Sequence, residues 1–346
     1  MLSPEIEQEL LQITPVEQRQ IDNHGQNIED VTLESIPETG PIQIMPYWNF
    51  FDYGRIAVTE SNRFSYIPAH KHKFIELNYC VSGQSMQYID DKKIILNPGQ
   101  LLIMDRNVQQ RINYARKKDI LVNILIRDNY EVSLLLDQID LECNTMVKLL
   151  ANSTKHNFNH NNYLVFDLNN NLVAKQLIEN IITLGLNQQG KNIQPIQAMM
   201  RALILCVEDS DIVKEVINFI EVKQDKNLQI IEYLNNHYQT VTLNSLADHF
   251  GYNSNYLGNK IKESSGHTFK ELLQMRRLNI ACNLIQITKM PLDEITAFVG
   301  YDNPSSLFRL FKSYLHLSPQ EYRKRILLPR QLDENEGISL NPYFEE

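Results

Sequence analysis

The sequence predicts an α+β multidomain chain: a small β-barrel, then a helical middle segment, then an all-α double helix-turn-helix. Three observations predict it. Short strand-like runs fill residues 46–127, broken by Ser82-Gly83, Asp90-Asp91 and Pro98-Gly99, the spacing of a small barrel or sandwich. Apolar residues at helical spacing take over after residue 168. Finally, LADHFGYN at 246–253 is echoed by ITAFVGYD at 295–302. Each copy reads as a helix ended by glycine, then a polar turn into a second helix whose polar positions stay free to face DNA.

The 346 residues are enough for two or three cores, and hydrophobic residues make up 43%. No apolar run of about 18 residues occurs, so no membrane span is expected. The start, Met1 to Glu7, is polar and acidic rather than a signal peptide, and Cys80, Cys143, Cys206 and Cys282 are dispersed in apolar surroundings. They read as reduced core thiols, and the expected location is cytoplasmic. The net charge of −9 is unevenly spread. Residues 227–330 hold 12 Lys and Arg against 8 Asp and Glu, a net of +4; residues 1–226 hold 21 against 29, and residues 331–346 add −5. A basic head on an acidic body is the distribution expected of a nucleic-acid reader.

In order along the chain, residues 1–45 read as an N-terminal extension with a short helix at 4–13. Strands are expected at 55–59, 74–81, 86–89, 93–96, 101–104 and 121–126, and after an Asn- and His-rich loop at 163–167. His156 and His160 in that loop are expected to be exposed. The barrel is therefore bounded at 46–168. A helical segment at 169–226, for dimerisation or linkage, contains three periodic helices. Leu172, Leu177, Ile178, Ile181 and Ile182 mark the first, Ile196, Met199, Met200, Leu203, Ile204 and Val207 the second, and Ile212, Val216, Ile217, Phe219 and Ile220 the third. A charged joint follows at 223–227, and the chain ends in an acidic tail, 331–346.

Within 227–330, Thr242 can cap a helix that Gly251 ends. Leu257 and Ile261 form the buried stripe of the next helix, which Gly266 closes. Thr268-Phe269-Lys270-Glu271 is a capping box opening a long helix, with Arg276 and Arg277 expected to point outward. Leu307, Leu310, Phe311 and Tyr314 mark a helix over 304–313. Ser318-Pro319-Gln320-Glu321 caps a short basic helix with Arg323, Lys324 and Arg325, suited to phosphates.

These residues, LADHFGYNSNYLGNKIKESSGHTFKELLQMRRLNIACNLI followed by ITAFVGYDNPSSLFRLFKSYLHLSPQEYRKR, resemble the C-terminal DNA-binding domain of AraC/XylS-type transcription regulators. The resemblance implies two helix-turn-helix units bridged by one helix, reading adjacent major grooves. It places Ser254, Asn255, Gly258 and Asn259 on the groove side of the first reading helix, and Asn303, Pro304, Ser305, Phe308 and Arg309 on that of the second. Arg309 suits guanine, and Asn255 and Asn259 suit adenine. Lys260, Lys262 and Lys312 suit phosphates. Gly258 stands where a larger side chain is common, and His316 where glycine is usual; histidine tolerates the left-handed backbone better than most residues.

In the first half, His70-x-His72-x3-Glu76-x6-Gly83 resembles the first cupin motif, and Pro98-Gly99-Gln100-Leu101 the start of the second, so the barrel is expected to be cupin-like. On one extended strand His70, His72, Phe74 and Glu76 would share a face. Such a set can line a ligand pocket, form a satisfied structural cluster, or hold a metal as two histidines and a carboxylate. The second motif normally supplies another histidine, and here Gln110 stands in its place. The expectation is therefore an effector site of His70, His72 and Glu76, with no metal and no cofactor. The function implied is a sequence-specific transcription regulator, an activator controlled by a small-molecule effector, and not an enzyme. Its partners would be double-stranded promoter DNA, RNA polymerase and a second copy in a homodimer, with no membrane. The alternative is a metal-dependent cupin enzyme fused to a DNA-binding domain.

Overall fold

The computed structural model describes residues 2, 4–28, 34–35, 42–45, 50–51, 55–154, 160–187, 193–216 and 226–327. The expected acidic tail, His156, and most of the 223–227 joint lie outside the described residues. The chain divides into two compact units, Met1–Lys223 and Gln224–Glu346.

The first unit opens with helices α1 (Pro4–Leu10) and α2 (Pro15–Asp22) and strands β1 (Glu34–Ser35) and β2 (Gln43–Met45). The barrel strands follow: β3 (Ile56–Glu60), β4 (Ile67–His72), β5 (Ile75–Ser82), β6 (Ser85–Ile89), β7 (Lys92–Leu96), β8 (Gln100–Met104), β9 (Gln110–Ile112) and β10 (Ile120–Ile126). Then come α3 (Asn129–Leu135), α4 (Thr145–Ser153), β11 (Tyr163–Asp167), α5 (Leu172–Asn187), α6 (Ile193–Cys206) and β12 (Ile212–Val216). The strands form two six-stranded sheets, ordered β1-β2-β4-β9-β6-β7 and β12-β11-β8-β5-β10-β3. Among the described residues only β2 and β4 pair in parallel. Alternation along β5, β8 and β10 sends Cys80, Leu102, Met104 and Leu121 into one apolar cluster with Ile89, Leu96 and Ile112 of the opposite sheet.

Three expectations change. The third expected helix is instead strand β12, pairing with β11, and residues 217–220 lie outside the described residues. Val213 is exposed and Lys214 reaches the Lys93 carbonyl, as on a half-solvated edge strand. The helical segment is therefore an insertion between two strands of one sheet, not a separate domain. The described residues of the expected N-terminal extension likewise pack against the first unit. Leu2, Ile6 and Leu10 are buried, each worth about 1.5–3 kcal/mol. Thr14 and Glu17 cap α2 reciprocally, and Glu17 also accepts from the buried Arg63 side chain at 2.7 and 3.0 Å. Arg63 completes its contacts on the Gln12 and Lys117 carbonyls. Finally, Cys143 is exposed rather than in a core.

The second unit holds α7 (Lys226–Asn236), α8 (Leu243–Phe250), α9 (Ser254–Ser265), α10 (Phe269–Ile287), α11 (Leu292–Phe298), α12 (Pro304–Leu315) and α13 (Pro319–Leu327). Leu278, Ala281 and Ile285 of α10 pack against Ile295, Val299, Leu307, Leu310 and Phe311, so the bridging helix supplies the floor of the second helical pair.

Candidate nucleic-acid interface and ligand chamber

Local chemistry sets each turn of the second unit. Thr242 caps α8 with Ser245, and Gly251 ends it at φ 69°. Asn253 caps α9, while Thr268 and Glu271 form the capping box of α10. The repeat follows in α11 and α12. A Cβ at Gly300 would stand 2.4 Å from the Gln239 carbonyl, so the backbone packs where only glycine fits. Asn303 caps α12, and His316 takes the left-handed position at φ 53°.

Arg276 and Arg277 do not point outward. Arg277 donates to the Tyr238 and Gln239 carbonyls, both at 2.9 Å, and lies over the Tyr301 ring at 4.7 Å. Arg276 donates to the Asn235 carbonyl. The bridging helix is thereby tied to the α7–α8 connection and to the turn between α11 and α12. The last basic helix is altered in the same way, because Arg323 donates to the Met290 carbonyl at 2.6 Å.

The proposed reading residues divide into two sets. Asn255 and Asn259 on α9, and Ser305, Arg309 and Lys312 on α12, are exposed at i, i+4 or i, i+4, i+7 spacing, one stripe per helix. Pro304 is exposed at the start of α12; Phe308 and Lys260 are half-buried. Ser254 and Asn303 have structural engagements. Ser254 donates to Asn244 at 2.7 Å, and Asn303 is occupied as the cap, accepting from the Ser306 backbone at 3.1 Å. A Cβ at Gly258 would meet only Leu243, at 3.5 Å, so packing does not demand glycine there. Lys312 lies 3.3 Å from Glu321, whose pKa is lowered to about 2 by the Ser318 backbone and hydroxyl and then by Lys312. Tyr256, 56% exposed on α9, was not singled out from the sequence; an aromatic outside the buried i, i+4 stripe was the available signal.

In the first unit the extended strand expected through His70, His72 and Glu76 is broken at Lys73 and Phe74. His72 ends β4 in one sheet and Glu76 lies on β5 in the other, so they meet across a corner. His72 Nε2 donates to Glu76 Oε2 at 2.7 Å, and the His70 and His72 rings meet edge-on at 4.7 Å. His70 Nδ1 lies 2.8 Å from the Pro68 carbonyl, which can only accept, so the proton sits on Nδ1. Burial, then His72, lowers the His70 pKa to about 4 against the smaller raising effects of Pro68 and Glu76. For Glu76, burial raises the pKa, but His72, His70 and Asn78 together outweigh it and leave the carboxyl lowered.

Beyond Glu76 runs a chain of buried amides. Asn78 donates to Glu76 Oε1 at 2.8 Å and to Asn123; Gln110 donates to Asn78 at 2.7 Å and to Gln87 at 2.8 Å; Gln87 donates to Ser85. Gln110 therefore has a place in this network, paired across the strands with His70. Both Glu76 oxygens are engaged. Among the described residues no group of three His, Cys, Asp or Glu side chains is placed to hold a metal ion. His72 Nδ1 and Gln110 Oε1 are buried without a hydrogen-bond partner. Asn78, Gln87 and Asn123 were missed from the sequence, although polar residues two apart in the inward phase of a strand were there to be read. His160, expected to be exposed, is half-buried with Nδ1 3.0 Å from Asp105.

Residues 246–325 match the family described as a helix-turn-helix domain, and residues 56–125 match the AraC-like ligand binding domain. The chain is 27% identical over 103 residues to an uncharacterized HTH-type transcriptional regulator of Staphylococcus aureus (strain MSSA476), covering 30% of this chain and 14% of that protein. It is 29% identical over 89 residues to the melibiose operon regulatory protein of Escherichia coli (strain K12), covering 26% of this chain and 30% of that protein. The matches thus span well under two thirds of either relative. Among solved structures, the C-terminal domain of AraT, a response regulator from Geobacillus stearothermophilus, is 28% identical, covering 32% of this chain and 93% of that one with a TM-score of 0.29. ToxT from Vibrio cholerae is 14% identical, covering 79% and 98% with a TM-score of 0.35.

Proposed function

We propose that this chain, which carries an AraC-type helix-turn-helix domain and an AraC-like ligand-binding domain, is a sequence-specific activator of transcription controlled by a small-molecule effector in its barrel. The observation that carries this reading is the matched pair of capped helix-turn-helix units, each with an exposed polar stripe and both tied to one bridging helix through Arg277. Asn255, Asn259, Ser305 and Arg309 contact base edges, and Lys260, Lys262 and Lys312 contact phosphates. Ser254, Gly258, Asn303, Pro304 and Phe308 shape the two reading surfaces. Two copies of the chain associate through the first unit and present four reading helices to two half-sites, where RNA polymerase is recruited. The effector occupies the chamber at His70, His72 and Glu76, and it must bind the DNA-competent arrangement more tightly than the alternative for any shift to follow.

Selection of binding sites from random DNA, followed by reporter transcription with and without small molecules, tests this reading. His72→Ala or Glu76→Ala should abolish the effector-dependent part of transcription and leave DNA affinity largely unchanged. Loss of DNA binding in a folded Glu76→Ala chain would place the chamber in DNA recognition itself and defeat the assignment.

A further inference from the structure

One half-buried cation in the first unit belongs to none of the contacts described so far. Arg106 follows β8 at the end of the barrel where β5 begins and β10 ends, and its carbonyl accepts the His72 backbone N–H at 3.3 Å. The residue is half-buried, and its Nε and Nη2 are shielded from solvent without a hydrogen-bond partner. These two nitrogens form the edge of a guanidinium that grips a carboxylate or phosphate with two parallel bonds.

The carboxylates that act on Arg106 are committed elsewhere. Asp105 Oδ1 accepts the Arg106 backbone N–H at 2.8 Å, and Asp105 Oδ2 engages His160. Asp128 pairs with Arg55 and accepts the Glu131 backbone N–H at 3.0 Å. Burial lowers the Arg106 pKa, and Asp105 and Asp128 only partly oppose it. Yet an arginine side chain does not give up its proton, so among the described residues the Nε and Nη2 of a charged fork stay shielded from water without a hydrogen-bond acceptor. Leaving such a group unpaired costs several kcal/mol in order of magnitude, a cost that binding of an anion removes.

We propose that Arg106 is an oxyanion-binding residue: it holds the carboxylate or phosphate group of the effector by its Nε and Nη2. The inference rests on reading the barrel as an effector chamber and narrows the ligand class. Gln110 Oε1, also unpartnered, accepts a hydroxyl or N–H from the body of the same molecule. The effector is thus a small polar acid or phosphate ester with hydrogen-bond donors beside its charge, not a neutral polyol and not a bare hydrocarbon.

The test uses the full chain without DNA, with inorganic phosphate and acetate as probes, each against sodium chloride at equal ionic strength. Thermal melting and calorimetric titration should show saturable stabilisation by at least one oxyanion, and which one answers separates phosphate from carboxylate. Arg106→Gln should weaken that binding at least tenfold, and Arg106→Lys should weaken it less, since a point charge keeps the attraction without the fork. With no oxyanion present, Arg106→Gln should melt at the same or a higher temperature than the parent, because an uncompensated charge is gone. A structural arginine predicts the opposite, so a lower melting temperature overturns the proposal. It also fails if both oxyanions act like chloride on the parent, or if Arg106→Gln responds as the parent does. Site selection on DNA, run separately, keeps the two readings apart. DNA binding without an oxyanion effect rejects this inference alone, and an oxyanion effect without sequence-specific DNA binding rejects the regulator alone.

Discussion

Arg309 stands exposed on α12 with Nε turned toward the Ser305 carbonyl at a long 3.4 Å, a contact that a guanine would readily displace. Arg309→Ala should cost on the order of 1–3 kcal/mol on the selected site and relax preference at one base pair. Titration against selected and random DNA checks it, and equal losses on both would reassign Arg309 to the backbone. Lys312 differs because Glu321 already holds it; Lys312→Ala should weaken all sequences alike and flatten the salt dependence. Two residues of the barrel give opposite pH slopes. His70 has its folded pKa depressed to about 4, so the unfolded chain binds more protons between about 6.5 and 4, and stability is lost as pH falls through that window. Glu60 is the reverse: burial raises it to about 8, against the lowering effect of Arg63, so stability is lost as pH rises from about 4.5 to 8. Urea midpoints across pH 4–9 should show Glu60→Gln without the alkaline loss and His70→Gln without the acid one. An unchanged alkaline limb in Glu60→Gln would mean that another group carries it.

At the scale of elements, α5 lies close upon β3. A Cβ on Gly185 would fall 2.3 Å from Val58 Cγ2, so the helix can lie on the strand only with glycine there. Gly185→Ala should destabilise the chain by about 1–3 kcal/mol through overpacking. Adding Val58→Ala should return part of that loss, and strict additivity of the two in denaturant melts would show that they do not touch. Helices α5 and α6 were legible because Ile178, Ile181 and Ile182, then Ile196, Met200, Leu203 and Ile204, are buried at the helical spacing read from the sequence. The segment after Ile212 was not. Its few apolar residues fit a helix and a strand equally well over five positions, and pairing with β11 decided the matter.

At the scale of the whole molecule, charge is uneven along the chain: residues 1–226 carry a net of −8 and residues 227–330 a net of +4. Residues 1–223 should self-associate and residues 224–346 should be monomeric, since α5 and α6 carry exposed Leu172, Val173 and Leu205, whereas the head packs Leu278, Ala281, Ile295, Leu307 and Phe311 into its own core and leaves Tyr256 and Phe298 exposed on separate helices. Sedimentation of the two fragments checks this, and a dimeric head fragment would move the interface. Either fragment should keep its own fold, because the chain divides at residue 223.

The double helix-turn-helix was determined by the sequence alone. Caps, glycine stops and i, i+3, i+4 stripes are local, and each acts within a few residues of the next. The exposed stripes with Asn255 and Arg309 follow from that periodicity. The barrel interior was decided only in three dimensions. Glu17 meets Arg63 across 46 positions, and Gln110 meets Asn78 across 32. His72 reaches Glu76 over a corner between sheets rather than along one strand. Which polar groups share a buried space, and which are left without partners there, depends on register between distant strands. Residue type and spacing carry no record of that register, so Arg106 passed unnoticed in the sequence and stands out in the fold.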